Sequence, residues 1–373
     1  ATSRNSIDVS TLTNLESLDC SSNSMTSIDI ANMPNLKSLA CNVNNITTLD
    51  LSQSTNLKSL SCSFNQLTTL ALSNAVSLEN LNCDSNHILA LDASNLLNLK
   101  TLSCSKNTMT SLNINNATLL ETVDCDSNAL TVLDASNLVN LTALNCEKNL
   151  LTALSLASSA PIKTLNCKTN NLPALNLSGL TSLETLDCSF NNISALNTTD
   201  LVQLKSLNCS NNEMASLNTA NLTNLETLKC NSNELTALTI TNLTNLKTLE
   251  CGSNQIASMD FGTSSKLCWF ELANNLFTTL DFSQLQGNGK RFHYHLSNNP
   301  NLAYVNVKNG CTLRRLSYQD TTGFYALNCP NLLFICADDY NVTRAQAQNA
   351  QTNSYCSFNP GGIYNTIAGT ITM

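Results

Sequence analysis

Charge is scarce in this chain. Asp, Glu, Lys and Arg make up 12% of its 373 residues, about half the usual globular share. Eighteen Lys and Arg stand against 26 Asp and Glu, for a net charge of −8. That leaves no basic surplus to track a nucleic-acid backbone and excludes nucleic-acid partners. Aromatic residues are few: one Trp, seven Tyr and ten Phe, of which only Phe64 and Phe190 precede residue 261. Of ten glycines, Gly179 alone precedes residue 252. No apolar run reaches the about 18 residues of a membrane-spanning helix, so membrane insertion is not expected. No charged-then-apolar leader opens the chain. It begins at Ala1 without Met, as a processed or excised product does. The hydrophobic share of 42% supplies a core and argues against a disordered chain. Catalytic signatures are missing too. There is no G-x-S-x-G, H-E-x-x-H, phosphate loop or dinucleotide fingerprint, so neither enzyme activity nor a cofactor is expected.

Cysteine is abundant, and its spacing is the main signal. Cys20, Cys41, Cys62, Cys83, Cys104, Cys125, Cys146, Cys167, Cys188, Cys209, Cys230 and Cys251 recur every 21 residues without insertion. Three residues after each stands an asparagine: Asn23, Asn44, Asn65, Asn86, Asn107, Asn128, Asn149, Asn170, Asn191, Asn212, Asn233 and Asn254. Leu, or Val123 once, comes two residues before each cysteine, and apolar residues come five before, five after and eight after. The pattern begins mid-unit at Ile7 and Val9 and runs once past the last column cysteine, with Leu272 in its slot.

The unit L-x-x-L-x-C-x-x-N-x-L resembles the leucine-rich repeat family, with Cys at the third Leu position. The resemblance covers residues about 6–283. It implies a leucine-rich repeat solenoid, mostly β, a curved right-handed stack with a parallel sheet on the concave face. The residues themselves point the same way. L-x-C alternates in and out as a half-buried strand does, and one coil cannot bury its leucines alone. A unit of 21 residues is short, so the convex side is expected to hold extended or 3-10 segments and no α-helix. The division expected is 1–283 for the solenoid, about 13 coils, and 284–373 for degenerate repeats and a C-terminal cap.

A buried asparagine at the strand exit can bond the main-chain groups that the turn frees, and also the next asparagine, as a ladder. For the cysteines three readings stand: small hydrophobes that narrow the coil, stacked disulfides or a metal ladder. The first fits best, because each coil offers a single inward thiol. Cys41, Cys62, Cys104, Cys125, Cys188 and Cys230, with Asn44, Asn65, Asn107, Asn128, Asn191 and Asn233, are read as structural.

Cys268 sits at an outward or edge position. Cys311, Cys329, Cys336 and Cys356 read as disulfide candidates. Residues 335–356 resemble the C-terminal cap of secreted leucine-rich repeat proteins of Bacteroidetes-type bacteria, which implies a Cys336–Cys356 staple; buried thiols are the alternative. Residues 342–351 hold good helix formers and are expected to make a short helix over the open end. Asn298-Asn299-Pro300-Asn301-Leu302 and Asn328-Cys329-Pro330-Asn331-Leu332 echo the step that opens each coil. The tail to Met373 resembles the junction to a β-sandwich module, as in a longer protein.

Outward strand positions form a field of small hydroxyls, amides and a few carboxylates. From it Thr101, Ser103, Thr122, Asp124, Thr164, Asn166, Thr185 and Asp187 are the candidate binding residues, with Trp269 as the aromatic exception. Trp269 is read either as an exposed contact or as packed under the cap. Asp29, Asp50, Asp92, Asp134, Asp260 and Asp281 form a further outward column, read as a solvated turn ladder or a weak cation site. His87 falls on a turn; His293 and His295 alternate on a strand-like segment, where a metal is a minor alternative. The function expected is extracellular or cell-surface recognition or adhesion, by a monomer that binds a protein or glycan. Binding to an ordered surface such as ice, or a spacer role, are the alternatives.

Overall fold

The computed structural model describes residues 5–9, 11–262, 266–285, 291–311, 323–338 and 350–354. It divides into two compact units, Ala1–Leu183 with Asp187–Asn192, and Glu184–Leu186 with Ile193–Met373. Both are parallel β-solenoid. No helix, α or 3-10, occurs among the described residues.

In the first unit every coil contributes a three-residue strand whose middle Leu or Val points inward and whose flanking residues point out. These are Ser17–Asp19, Ser38–Ala40, Ser59–Ser61, Asn80–Asn82, Thr101–Ser103, Thr122–Asp124, Ala143–Asn145 and Thr164–Asn166. Neighbouring strands pair in parallel one repeat apart, as Leu18↔Leu39 and Leu39↔Leu60 do. Pairing continues past the strand, with the Cys41 amide donating to the Ser61 carbonyl at 2.8 Å and that of Val43 to Ser63 at 2.9 Å. The leucines meet inside: Leu57, Leu67 and Leu78 are fully buried, each worth about 1.5–3 kcal/mol. On the other side of the coil, Ala90–Asp92 pairs with Ser111–Asn113 and Val132–Ala135 with Ala153–Leu156. The extended convex segments expected above are therefore strands in these four coils, whereas residues 49–51 and 238–240, where the sequence shows the same alternation, carry no strand.

The second unit repeats the plan. Its main sheet runs through Ser206–Asn208, Thr227–Lys229, Thr248–Glu250, Trp269–Glu271, His293–His295 and Phe324–Tyr325. A second parallel sheet joins Thr279–Asp281, Tyr304–Asn306, Phe334–Cys336 and Gln351–Asn353. Here aromatics replace leucines: Phe270, Phe282, Phe292 and Tyr294 are buried against one another, with Phe270 and Tyr294 stacked at 5.3 Å.

The asparagines explain how a turn without helix or strand is held. Asn65 Nδ2 donates to the carbonyls of Cys62 at 3.1 Å and of Cys41, one coil earlier, at 3.0 Å. Its Oδ1 accepts the Ile46 amide of that earlier coil at 2.9 Å. Asn44 and Asn170 do the same. The bonds run to main chain and not to the next asparagine, which corrects the side-chain ladder expected above. Both ends of the amide are already taken by main chain, the nitrogen by the Cys62 and Cys41 carbonyls and the oxygen by the Ile46 amide.

All twelve column cysteines are buried thiols. Burial pushes the Cys20 thiol up to about 11 and that of Cys41 up to about 12. Cys336 is disulfide-bonded; Cys356, the partner implied by the resemblance, lies outside the described residues. Of the helix expected over 342–351, residues 342–349 lie outside them too, and Gln351 opens a strand instead.

One assignment in the irregular region is corrected. Asn299 occupies the turn-asparagine slot, donating to Leu296 O at 2.8 Å and to Leu272 O at 3.1 Å. Cys329 occupies the same slot in the next coil, as a thiol that donates to Leu296 O at 3.4 Å. It is a buried thiol and not a disulfide candidate.

Each coil also turns through one left-handed residue, two after the cysteine slot, with φ between 51° and 59°. Most of these are Ser, Lys or Asn, but Val43 and Phe64 hold φ of 54° while 50% and 58% exposed. A β-branched residue is strained there, whereas Asn tolerates it. Val43→Asn is expected to raise stability by about 1 kcal/mol, read as a higher urea midpoint.

Candidate binding surface

Because the strand alternates, two side chains per coil face out, and register stacks them into columns. In the first unit Thr101 pairs with Thr122 and Ser103 with Asp124, and Ala143 with Thr164 and Asn145 with Asn166. Over these columns lies an open recess of about 680 Å³. Thr101, Ser103, Thr122, Asp124, Thr164 and Asn166 line it, together with Ser59, Ser61, Asn80, Asn82, Ala143 and Asn145. The latter belong to the same columns, and alternation was the signal that pointed to them. Thr185 and Asp187 fall on the strand Thr185–Asp187, and Trp269 lies in the second unit; none of the three lines the recess.

The lining is tied together one coil at a time. Thr101 Oγ1 donates to Asn80 Oδ1 at 2.7 Å. Ser103 Oγ lies 2.7 and 2.8 Å from the two oxygens of Asp84. Asn145 Nδ2 donates to Asp124 Oδ1 at 3.0 Å, and Asn166 Nδ2 to Glu147 Oε2 at 2.9 Å. Burial raises the Asp124 carboxyl above its usual range, and the nearby Asp126 and Asp84 push in the same direction. The recess therefore offers hydroxyls, amides and one desolvated carboxylate at one-coil spacing.

In the second unit Trp269 is half-buried and stacks on His293, with centroids 4.0 Å apart and planes 18° apart. His295 Nδ1 lies 2.7 Å from Glu271 Oε2. The two histidines thus face aromatic and carboxylate partners, and no group of three or more potential metal ligands occurs among the described residues. His87 is exposed on its turn. The aspartate column consists of turn caps: Asp29, Asp50, Asp92, Asp134, Asp260 and Asp281 each accept the amide two residues on, at 2.8–3.0 Å. The Ser94 and Ser136 hydroxyls, and after them these amide bonds, hold the carboxyls of Asp92 and Asp134 below their usual range; at Asp50 the Ser52 amide leads and its hydroxyl follows. No helix among the described residues is long and apolar enough to cross a membrane.

Residues 13–54 match the family described as leucine rich repeats, two copies. Among solved structures, the functional domain of InlJ from Listeria monocytogenes, which includes a cysteine ladder, matches with a TM-score of 0.70 and 28% identity, over 88% of this chain and 70% of that one. A leucine-rich repeat protein of Leptospira interrogans matches with a TM-score of 0.65 and 25% identity, over 80% of this chain and 79% of that one. YopM, a leucine-rich effector protein from Yersinia pestis, matches with a TM-score of 0.56 and 28% identity, over 71% and 79%. No curated protein matches the sequence. The 21-residue repeat, its stacked coils and these likenesses together support a leucine-rich repeat fold for this chain.

Proposed function

We propose that this chain is a non-catalytic recognition or adhesion module. It binds a protein or glycan through the outward face of its main sheet, as a monomer at the cell surface or outside the cell. The observation that carries the reading is the recess of the first unit. Its polar side chains are already tied to neighbours, so little rotamer freedom is lost when a partner docks. The likeness to the functional domain of InlJ and to an effector protein supports binding over catalysis. The extracellular placement rests on the resemblance of residues 335–356 to the caps of secreted Bacteroidetes-type repeat proteins. Within this proposal residues 1–283 carry recognition. Residues 284–373 close the stack, with Cys336 joined to Cys356.

Protein and glycan arrays probed in parallel test the reading. The double variant Thr122→Arg, Asn145→Arg places two long cations in the recess while leaving the inward residues untouched. Wild type is expected to bind on one array and the double variant to lose at least about tenfold in affinity, or 1.4 kcal/mol. Array signals that the double variant retains in full, or silence on both arrays, would sink it.

A further inference from the structure

The one tryptophan stands where the threonine column of the second unit stops. Thr227, Thr248 and Trp269 are register partners on successive strands, and His293 follows. The indole lies flat on the His293 ring, 4.0 Å away. Coils rise by about 4.8 Å, so the stacking direction runs along the column. The other indole face therefore looks back over Thr248. A threonine side chain ends at its γ atoms, far short of an indole's reach, so the outer part of that face rises above its own column as a wall.

The neighbouring columns complete a corner. Beside Thr227 and Thr248, on the same two strands, stand Lys229 and Glu250, paired at 2.9 Å. Glu271 follows, held by His295 at 2.7 Å. One column further stand Asn231, Gly252 and Ala273. The Asn231 side chain lies against Gly252, its Oδ1 accepting the Gly252 amide at 2.7 Å and its Nδ2 donating to Glu250 Oε2 at 3.3 Å, while Gly252 itself adds no side chain. An apolar ring face, two hydroxyls, a carboxylate held by an amide and an ammonium thus meet in one corner.

This combination matches a sugar ring. A pyranose presents a C–H face to an aromatic plane, and its hydroxyls both donate and accept, which suits Glu250 and Lys229 together. An anionic ligand would meet Glu250 and Glu271. A purely apolar one would take the Thr248 hydroxyl and the Lys229–Glu250 pair out of water and offer them no hydrogen bond in return. We propose that Trp269, Thr248, Glu250 and Lys229 form a binding site for a neutral hexose unit of an oligosaccharide. The site shares no residue with the recess of the first unit, so the two readings fail separately.

Trp269 is the sole indole of the chain, and its emission reports on this corner alone. The experiment titrates the full chain with neutral tetrasaccharides of β-1,4-glucan, α-1,4-glucan and β-1,4-galactan. At least one is expected to give a saturable change in emission with Kd of about 1 mM or tighter. Glu250→Gln, and independently Thr248→Arg, which fills the space before the indole, are expected to weaken it at least about tenfold with circular dichroism unchanged. Thr122→Arg with Asn145→Arg leaves it intact. No saturable change with any of the three sugars overturns the assignment, as does a response that both corner variants keep or that the recess variant abolishes.

Discussion

Raising the pH from 8 to 11 is expected to unfold the protein. The cause is the cysteine column. Burial, and after it the adjoining thiol, pushes Cys41 up to about 12 and holds Cys62, Cys104, Cys146, Cys167 and Cys230 well above the ordinary value of 9.0. Cys83, Cys125 and Cys251 are raised in the same direction, by burial and then by nearby Asp or Glu. A group whose folded pKa exceeds its unfolded one contributes stability that is fully present below the unfolded pKa. That contribution is lost as pH climbs towards the folded pKa. The window therefore opens near pH 9 and extends to about 12 for Cys41.

One pH unit above the unfolded pKa, each such thiol withdraws on the order of 1 kcal/mol. Nine of them together reach the order of the roughly 5–15 kcal/mol that a domain typically possesses. Far-UV circular dichroism followed from pH 7 to 12 checks this, with thiolate absorbance near 240 nm read on the same sample. The two signals are expected to change together. Thiolate appearing with a midpoint near pH 9 while the β signal stays intact would refute the burial argument.

Asn65→Ala is expected to lower stability by about 2–3 kcal/mol. The substitution does not orphan every partner equally. The Cys62 carbonyl keeps a bond from Asn86, and the Cys41 carbonyl keeps one from Asn44. The Ile46 amide, however, loses its acceptor in a turn where Ile46 is 1% exposed. One buried N–H without a partner costs about 1–3 kcal/mol, and the space left by the amide adds to it. Asn65→Asp offers a sharper test. It keeps the acceptor for Ile46 but turns lone pairs towards two carbonyls, so it is expected to be more damaging at pH 7 than at pH 4, where the acid is protonated. Urea midpoints at both pH values decide the matter. A loss below about 0.5 kcal/mol for Asn65→Ala would mean that water takes over the amide's bonds.

The regular coils were legible because every signal shared one period. Cys, Asn and the flanking leucines recur together, and an inward Leu between two polar residues fixes which face of the strand looks out. That was enough to place Thr101, Thr122, Asp124 and Asn166 over one recess. The period fails where loops lengthen. Asn274 and Asn298 are equivalent yet 24 residues apart, and Asn298 and Asn328 are 30 apart. Without a fixed spacing, the turn role of Asn299 went unseen and Cys329 looked like a disulfide half. The column of left-handed residues was hidden for a different reason. Ser, Lys, Val and Phe share no side-chain chemistry, and only the backbone unites them. Trp269 stood out as the aromatic exception, but its stacking partner did not, since that is a histidine 24 residues away on the next strand of the sheet.

The direction in which the asparagines reach has a consequence for how the chain is made. Asn65 closes the turn of the coil before it, Asn86 does so for Asn65's coil, and Asn107 for that of Asn86. None of these coils completes its own turn. A chain emerging amino end first must therefore carry one unfinished turn at its growing edge, and that turn is released only when an amide 24 residues beyond the preceding cysteine carbonyl arrives. Assembly has a polarity, each coil serving as template for the next and as latch for the last. Where Cys329 takes the slot the latch is a thiol, a weaker donor than an amide.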